Sequence, residues 1–170
     1  MANYLTTLEI PCTIAETFAF VSDFRNAPSW DPQTLEAYKI SDGPIGLGTR
    51  FLLVGVFLGK FFGGQKMLLP YEIVAFEPPH LLALEGETTS MRYHDRIELS
   101  ARGSSHTQLT YDATLDLQGW LGRVNDLVER VLPGRKNPIF KHAFQLVGDR
   151  ATERMPRAVA DGAPRSTSTN

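Results

Sequence analysis

The chain has 170 residues, a mass of 18.9 kDa, 42% hydrophobic and 21% charged residues, and a net charge of −2. This length favours a single domain with a sizeable core, and the near-neutral balance argues against an electrostatic grip of the whole molecule on DNA or RNA. The single Cys12 excludes an intramolecular disulfide and a multi-cysteine zinc site.

The first elements are a strand and a short helix. Alternation of apolar and polar residues predicts a strand over residues 4–10, which Pro11 ends. Thr13 and Glu16 have the spacing of a capping box, so a helix is expected over residues 14–22. Residues 24–30 form a second short helical segment or turn, which is broken by prolines.

A run of strands follows the two helical segments. Alternation and turn residues predict strands over residues 35–41, 49–58, 67–76 and 81–87, and a hairpin over 92–101 and 107–117. In the last strand, the apolar residues from Leu109 to Leu117 face one way and the polar residues the other, as in a sheet with one wet face. Asp95 falls in the apolar phase of its strand and is predicted to face inward.

The period changes to helical after residue 117. One apolar stripe begins at Trp120 and is interrupted by Pro133 and Gly134. A second stripe extends from Phe140 to Met155. Residues 158–170 have no apolar period, so we expect a disordered tail after one domain at residues 1–157. The order of elements predicts an α+β fold, in which an antiparallel sheet wraps a long C-terminal helical segment.

Four sequence segments resemble the START/Bet v 1-like (SRPBCC) superfamily, and in particular its polyketide cyclase/dehydrase-like branch. They are FAFVSD with NAPSWDP at 18–32, DGPIGLGTRF at 42–51, YEIVAFEPP at 71–79 and GDRA at 148–151. The resemblance covers nearly the whole chain up to about residue 157. It implies a helix-grip fold with a deep apolar cavity between the curved sheet and the last helix, in which members bind lipids, sterols, polyketides or other hydrophobic molecules.

Aromatic and apolar residues on the predicted inner face indicate a ligand pocket. A concave sheet face must be filled by side chains, by a helix or by a ligand. The predicted ligand-binding residues are Trp30, Phe51, Leu53, Phe57, Tyr71, Tyr93, Tyr111, Phe140 and Phe144. The alternative is that these residues are simply core, with Trp30 as a packing plug.

Asp95 and Tyr93 are the candidate catalytic residues. A carboxylate in an apolar phase is costly unless it is paired or protonated, and desolvation raises its pKa toward the range of a general acid or base. The alternative is a structural anchor that pairs with an arginine or accepts a hydrogen bond from Tyr93 or Tyr111. A one-residue bulge in the strand would turn Asp95 outward.

Three functions remain open. The first is a binding protein for a small hydrophobic molecule, and the second is an enzyme of the polyketide cyclase/dehydrase type. The third is a module that contacts membrane surfaces or proteins weakly, because residues 119–157 carry 8 basic and 4 acidic residues, whereas residues 1–118 carry 8 and 14.

The expected partners are limited to the small ligand. The four scattered histidines lack metal-ligand spacing, and no dinucleotide or phosphate-binding motif is present, so we expect no metal and no cofactor. We expect no nucleic acid and no stable membrane insertion, and we leave the oligomeric state open. The sequence shows neither a bilayer-spanning apolar run nor a signal peptide, which predicts a cytoplasmic location.

Overall fold

A computed structural model describes residues 1–56, 66–119, 123 and 138–163, with the backbone alone for 138–141. Within these ranges, seven strands form one antiparallel sheet in the order β1-β7-β6-β5-β4-β3-β2. The strands are β1 (Ala2–Ile10), β2 (Thr34–Lys39), β3 (Arg50–Gly55), β4 (Met67–Glu77), β5 (Leu81–Glu87), β6 (Met91–Arg102) and β7 (His106–Leu117). The described helices are α1 (Ile14–Ser22), a 3-10 turn (Phe24–Asn26), α2 (Ala27–Trp30) and α3 (Pro138–Gly162).

Helix α1 begins as the sequence predicts. The Glu16 amide donates to Thr13 Oγ1 (3.3 Å), and the Thr13 amide donates to the Glu16 carboxylate (3.0 Å). These two bonds satisfy amide donors that a helix leaves free in its first turn, so the predicted capping box is confirmed.

The hairpin of β6 and β7 sets the inner face of the sheet. Its register continues without a bulge from the Met91–Leu117 pair to the Arg102–His106 pair. Asp95 therefore stays in the inward phase, opposite Ala113, and only 6% of it is exposed. The predicted inward orientation of Asp95 is confirmed.

Gly86 allows a close approach between strands. It pairs with Tyr93, and a Cβ atom at Gly86 would clash with the Tyr93 ring and with the Pro70 carbonyl oxygen. A glycine within a strand often marks such an approach of side chain and backbone. The Tyr93 ring can therefore lie over β5, where its hydroxyl donates to the Pro70 carbonyl (2.6 Å).

Helix α3 packs on the inner face and extends further than expected. Met155 and Val159 are fully buried, and Tyr4 of β1 lies with its hydroxyl oxygen 2.8 Å from Thr152 Oγ1. The predicted start of a disordered tail at residue 158 is wrong, because Val159 continues the buried stripe four residues after Met155 and the helix runs to Gly162. Residues 164–170 of that predicted tail lie outside the described residues.

Candidate functional site

A cavity of about 90 Å³ lies between the inner face of the sheet and α3. This is several times the roughly 10–15 Å³ that one water molecule needs. Small residues leave the space open, since Gly55, Ala113, Gly148 and Ala151 all line it. At Gly148, a Cβ atom would lie 2.6 Å from the Tyr4 ring, so the helix can approach β1 closely only without a side chain there.

Most of the predicted site residues line this cavity. They are Trp30, Leu53, Tyr71, Tyr93, Asp95, Tyr111 and Phe144. Phe57 lies outside the described residues, and so does the side chain of Phe140.

Phe51 does not line the cavity. It is fully buried, and its ring centroid lies 6.0 Å from that of Phe24. Leu53 and Gly55, further along the same face of β3, do line the cavity. The alternation of β3 correctly predicts which face Phe51 occupies, but the structure places it in the core rather than at the site.

The Asp95 carboxylate is the buried polar centre of the cavity. The Tyr111 hydroxyl donates to Asp95 Oδ1 (3.0 Å). The pKa of Asp95 is raised to about 6, mainly because the carboxyl is buried. Hydrogen bonds from Tyr111 and Tyr71 oppose this increase, and the negative charge of Asp31 adds to it. A carboxyl with such a pKa changes its protonation close to neutral pH, where a general acid or base is most effective.

Tyr93 lies beside this carboxylate, and the Tyr93 hydroxyl proton already forms a hydrogen bond to another group. Its hydroxyl donates to the Pro70 carbonyl, and burial together with the charge of Asp95 raises the pKa of Tyr93. This geometry makes Tyr93 a weak candidate for a proton donor and leaves its hydroxyl oxygen as an acceptor.

Trp30 combines the two alternatives that the sequence left open. It is almost fully buried and makes edge-on ring contacts with Phe24 (6.2 Å) and Tyr111 (6.3 Å). The same residue lines the cavity. Trp30 is therefore both a packing residue at the end of α2 and part of the cavity wall.

Asp31 is a second carboxylate of the cavity that the sequence analysis missed. It accepts hydrogen bonds from Thr34 Oγ1 (2.6 Å) and from the Gln33 amide (2.9 Å). Burial raises its pKa, and those two hydrogen bonds and the charge of Arg154 lower it. The Asp-x-x-Thr spacing signals a turn, but nothing local to residues 31–34 indicates that this turn faces Asp95.

The two carboxylates of the cavity are not paired with basic side chains or grouped as metal ligands in the described ranges. Neither Asp31 nor Asp95 takes part in the ion pairs among the described ranges. Within those ranges no group of three or more His, Cys, Asp or Glu side chains is arranged to hold a metal ion.

No helix in the described part of the chain has both the length and the apolar character that crossing a bilayer requires.

A family model described as "Polyketide cyclase / dehydrase and lipid transport" matches residues 1–154. The chain belongs to this family. No curated protein matches the sequence of this polyketide cyclase/dehydrase family member.

Solved structures agree on the fold. A START superfamily protein from Mycobacterium smegmatis is 14% identical, with a TM-score of 0.71 over 95% of this chain and 99% of the other. Ara h 8.0201 is also 14% identical, with a TM-score of 0.57 over 94% and 98%. The di-domain ARO/CYC BexL from the BE-7585A biosynthetic pathway is 12% identical, with a TM-score of 0.62 over 96% of this chain and 50% of that one. The predicted helix-grip fold of the START/Bet v 1 type is confirmed.

Proposed function

We propose that this polyketide cyclase/dehydrase family member binds a small, largely apolar molecule in the cavity between the sheet and α3. The observation that carries the proposal is an internal space whose walls are aromatic and aliphatic but which contains the buried Asp95–Tyr111 pair. Ligand sites typically combine such walls with a few placed polar groups that fix orientation. We place this activity in the cytoplasm.

The proposal is tested by filling the cavity. Ala113 lines it opposite Asp95, so Ala113→Phe puts a phenyl ring into the space, whereas Ala101→Phe makes the same exchange at an exposed position of β6. We expect 2-phenylethanol to shift the amide resonances of β6 and β7 in the wild type and in Ala101→Phe, and to have no effect in Ala113→Phe. Shifts that persist in folded Ala113→Phe would contradict binding in this cavity.

A second measurement identifies what the protein carries. Native mass spectrometry of the full chain purified from its own host is expected to show an added mass, and extraction then releases an apolar compound. A host-purified chain of bare mass, together with no response to 2-phenylethanol, would refute the binding proposal.

The second candidate function is acid–base chemistry of the cyclase/dehydrase type. The pKa of Asp95, raised to about 6, favours it, because an aldol cyclisation needs a base that removes a proton next to a carbonyl and returns a proton to the new alkoxide. BexL, a structural neighbour named as an ARO/CYC, also supports it.

A small diketone tests this second function. Heptane-2,6-dione closes through one new carbon–carbon bond and loses water to give 3-methylcyclohex-2-enone, which absorbs in the ultraviolet. An acid–base role predicts faster ring closure with the wild type than with buffer, and loss of that acceleration in Asp95→Asn with binding of 2-phenylethanol retained. Equal rates of ring closure with the wild type and with buffer would contradict the acid–base function, and binding would then be the function that stands.

The third hypothesis from the sequence, surface contact through the basic C-terminal segment, remains a prediction. Much of residues 119–137 lies outside the described residues, Trp120 among them. Vesicle binding that weakens as salt is added would support it.

A further inference from the structure

The charged side chains that line the cavity in the described part of the chain are both acidic, and the charge of Arg154, which acts on Asp31, comes from outside the lining. Asp31 and Asp95 both line it, whereas no lysine, arginine or histidine of the described residues does. Asp95 is more than nine-tenths buried and forms no ion pair within those same residues. Burying a carboxylate without a cation costs free energy. The attraction between this carboxylate and a cation that fits the cavity is therefore stronger here than the same attraction in water.

The tyrosine protons around this charge are already committed. Tyr111 donates to Asp95, and Tyr93 donates to the Pro70 carbonyl. What these two groups still offer is the lone pairs of their oxygens, which accept hydrogen bonds. The polar end of a ligand at this position is therefore served better by N–H or O–H donors than by a carbonyl or carboxylate oxygen.

Aromatic rings surround the same space. The Tyr71 ring centroid lies 4.6 Å from that of Tyr93 and 5.4 Å from that of Phe24, and Trp30 continues the wall toward Tyr111. Aromatic faces attract cations through their electron-rich π systems, most strongly where water is excluded.

We propose that the molecule bound in this cavity carries a protonated amine on an apolar, ring-sized body, with the ammonium between Asp31 and Asp95 and the body against the aromatic wall. This inference rests on the proposed binding function and specifies its ligand class. The ammonium supplies the positive charge that the described walls lack and N–H donors for the acceptor oxygens there, and the rings contribute to both parts of the ligand.

Three probes of closely similar size and different charge test the proposal. They are 2-phenylethylamine, which is a cation near neutral pH, the neutral 2-phenylethanol, and the anion 3-phenylpropionate. Isothermal titration of the full chain at low salt is expected to give at least about tenfold tighter binding of the amine than of the alcohol, with the propionate weakest. Because this comparison uses the wild type, it does not depend on whether a variant folds.

Matched variants locate the preference. Asp31→Asn and Asp95→Asn are each expected to reduce the preference for the amine over the alcohol to about threefold or less. Asp42→Asn, at an exposed loop position between β2 and β3 that does not line the cavity, leaves the preference unchanged. If the alcohol binds as tightly as the amine and its resonance shifts map to the cavity, the amine inference is wrong and the binding function stands. If none of the three probes binds, it is the binding function itself that fails.

Discussion

Replacing Asp95 by asparagine should change how the stability of the protein depends on pH. The folded-state pKa of about 6 lies roughly 2 units above the ordinary value of 3.8. At about 1.4 kcal/mol per unit, ionising this carboxyl in the folded state costs about 3 kcal/mol relative to the unfolded chain. An asparagine side chain has nearly the same shape as aspartate and does not ionise, so the Asp95→Asn variant lacks this cost.

The sign follows from proton binding. Between about pH 4 and pH 6 the folded wild type holds the Asp95 proton more tightly than the unfolded chain, so its stability falls as the pH rises through that window. Above about pH 6 the carboxyl is ionised in both states and the full cost is present. The free energy of unfolding of Asp95→Asn, minus that of the wild type, should therefore increase by about 2 kcal/mol between about pH 4 and pH 7.5.

Urea unfolding of both proteins at several pH values measures this difference. Any loss caused by an unpaired asparagine amide is the same at every pH, so it cancels from the pH dependence. Asp42→Asn provides the control, because it is the same exchange at an exposed loop position that does not line the cavity. A difference between wild type and Asp95→Asn that stays constant within about 0.5 kcal/mol across this range would show that Asp95 is not desolvated as the structure indicates.

Three further predictions address the supporting structure. Gly86→Ala should lose about 3 kcal/mol of unfolding free energy because its Cβ meets the Pro70 backbone of the neighbouring strand β4, while Gly46→Ala, which has open space, should change by less than about 0.5 kcal/mol in the same urea experiment; similar values for both would contradict the close approach. Thr13→Ala should cost about 1 kcal/mol and Thr13→Ser much less, and an unchanged unfolding midpoint in Thr13→Ala would argue against the cap. Tyr111→Phe removes a hydrogen bond that lowers the pKa of Asp95, so a carboxyl NMR titration should show a higher pKa in the variant, and a lower one would be inconsistent with this bond.

Local patterns were enough to predict most of the elements and the phase of the inner face. The alternation of β7 and its partner strand correctly indicated that Asp95 is buried, because side-chain direction in a regular strand follows from the two-residue period alone. The capping box likewise indicated the start of α1, since its bonds join residues three positions apart. At the C-terminal end, the polar composition of residues 158–170 hid the continuing stripe at Val159.

What the sequence determined by itself is therefore the type of most elements and the face that side chains occupy in the regular strands. Only the tertiary structure decided which residues on that face meet at a cavity, because periodicity contains no information on the position along the strand where the sheet and α3 separate. Phe51 and Leu53 share a face, yet of these two only Leu53 reaches the cavity. Asp31 and Asp95 are far apart in the chain, and the folding of the corner after α2 over the sheet brings both to the same space.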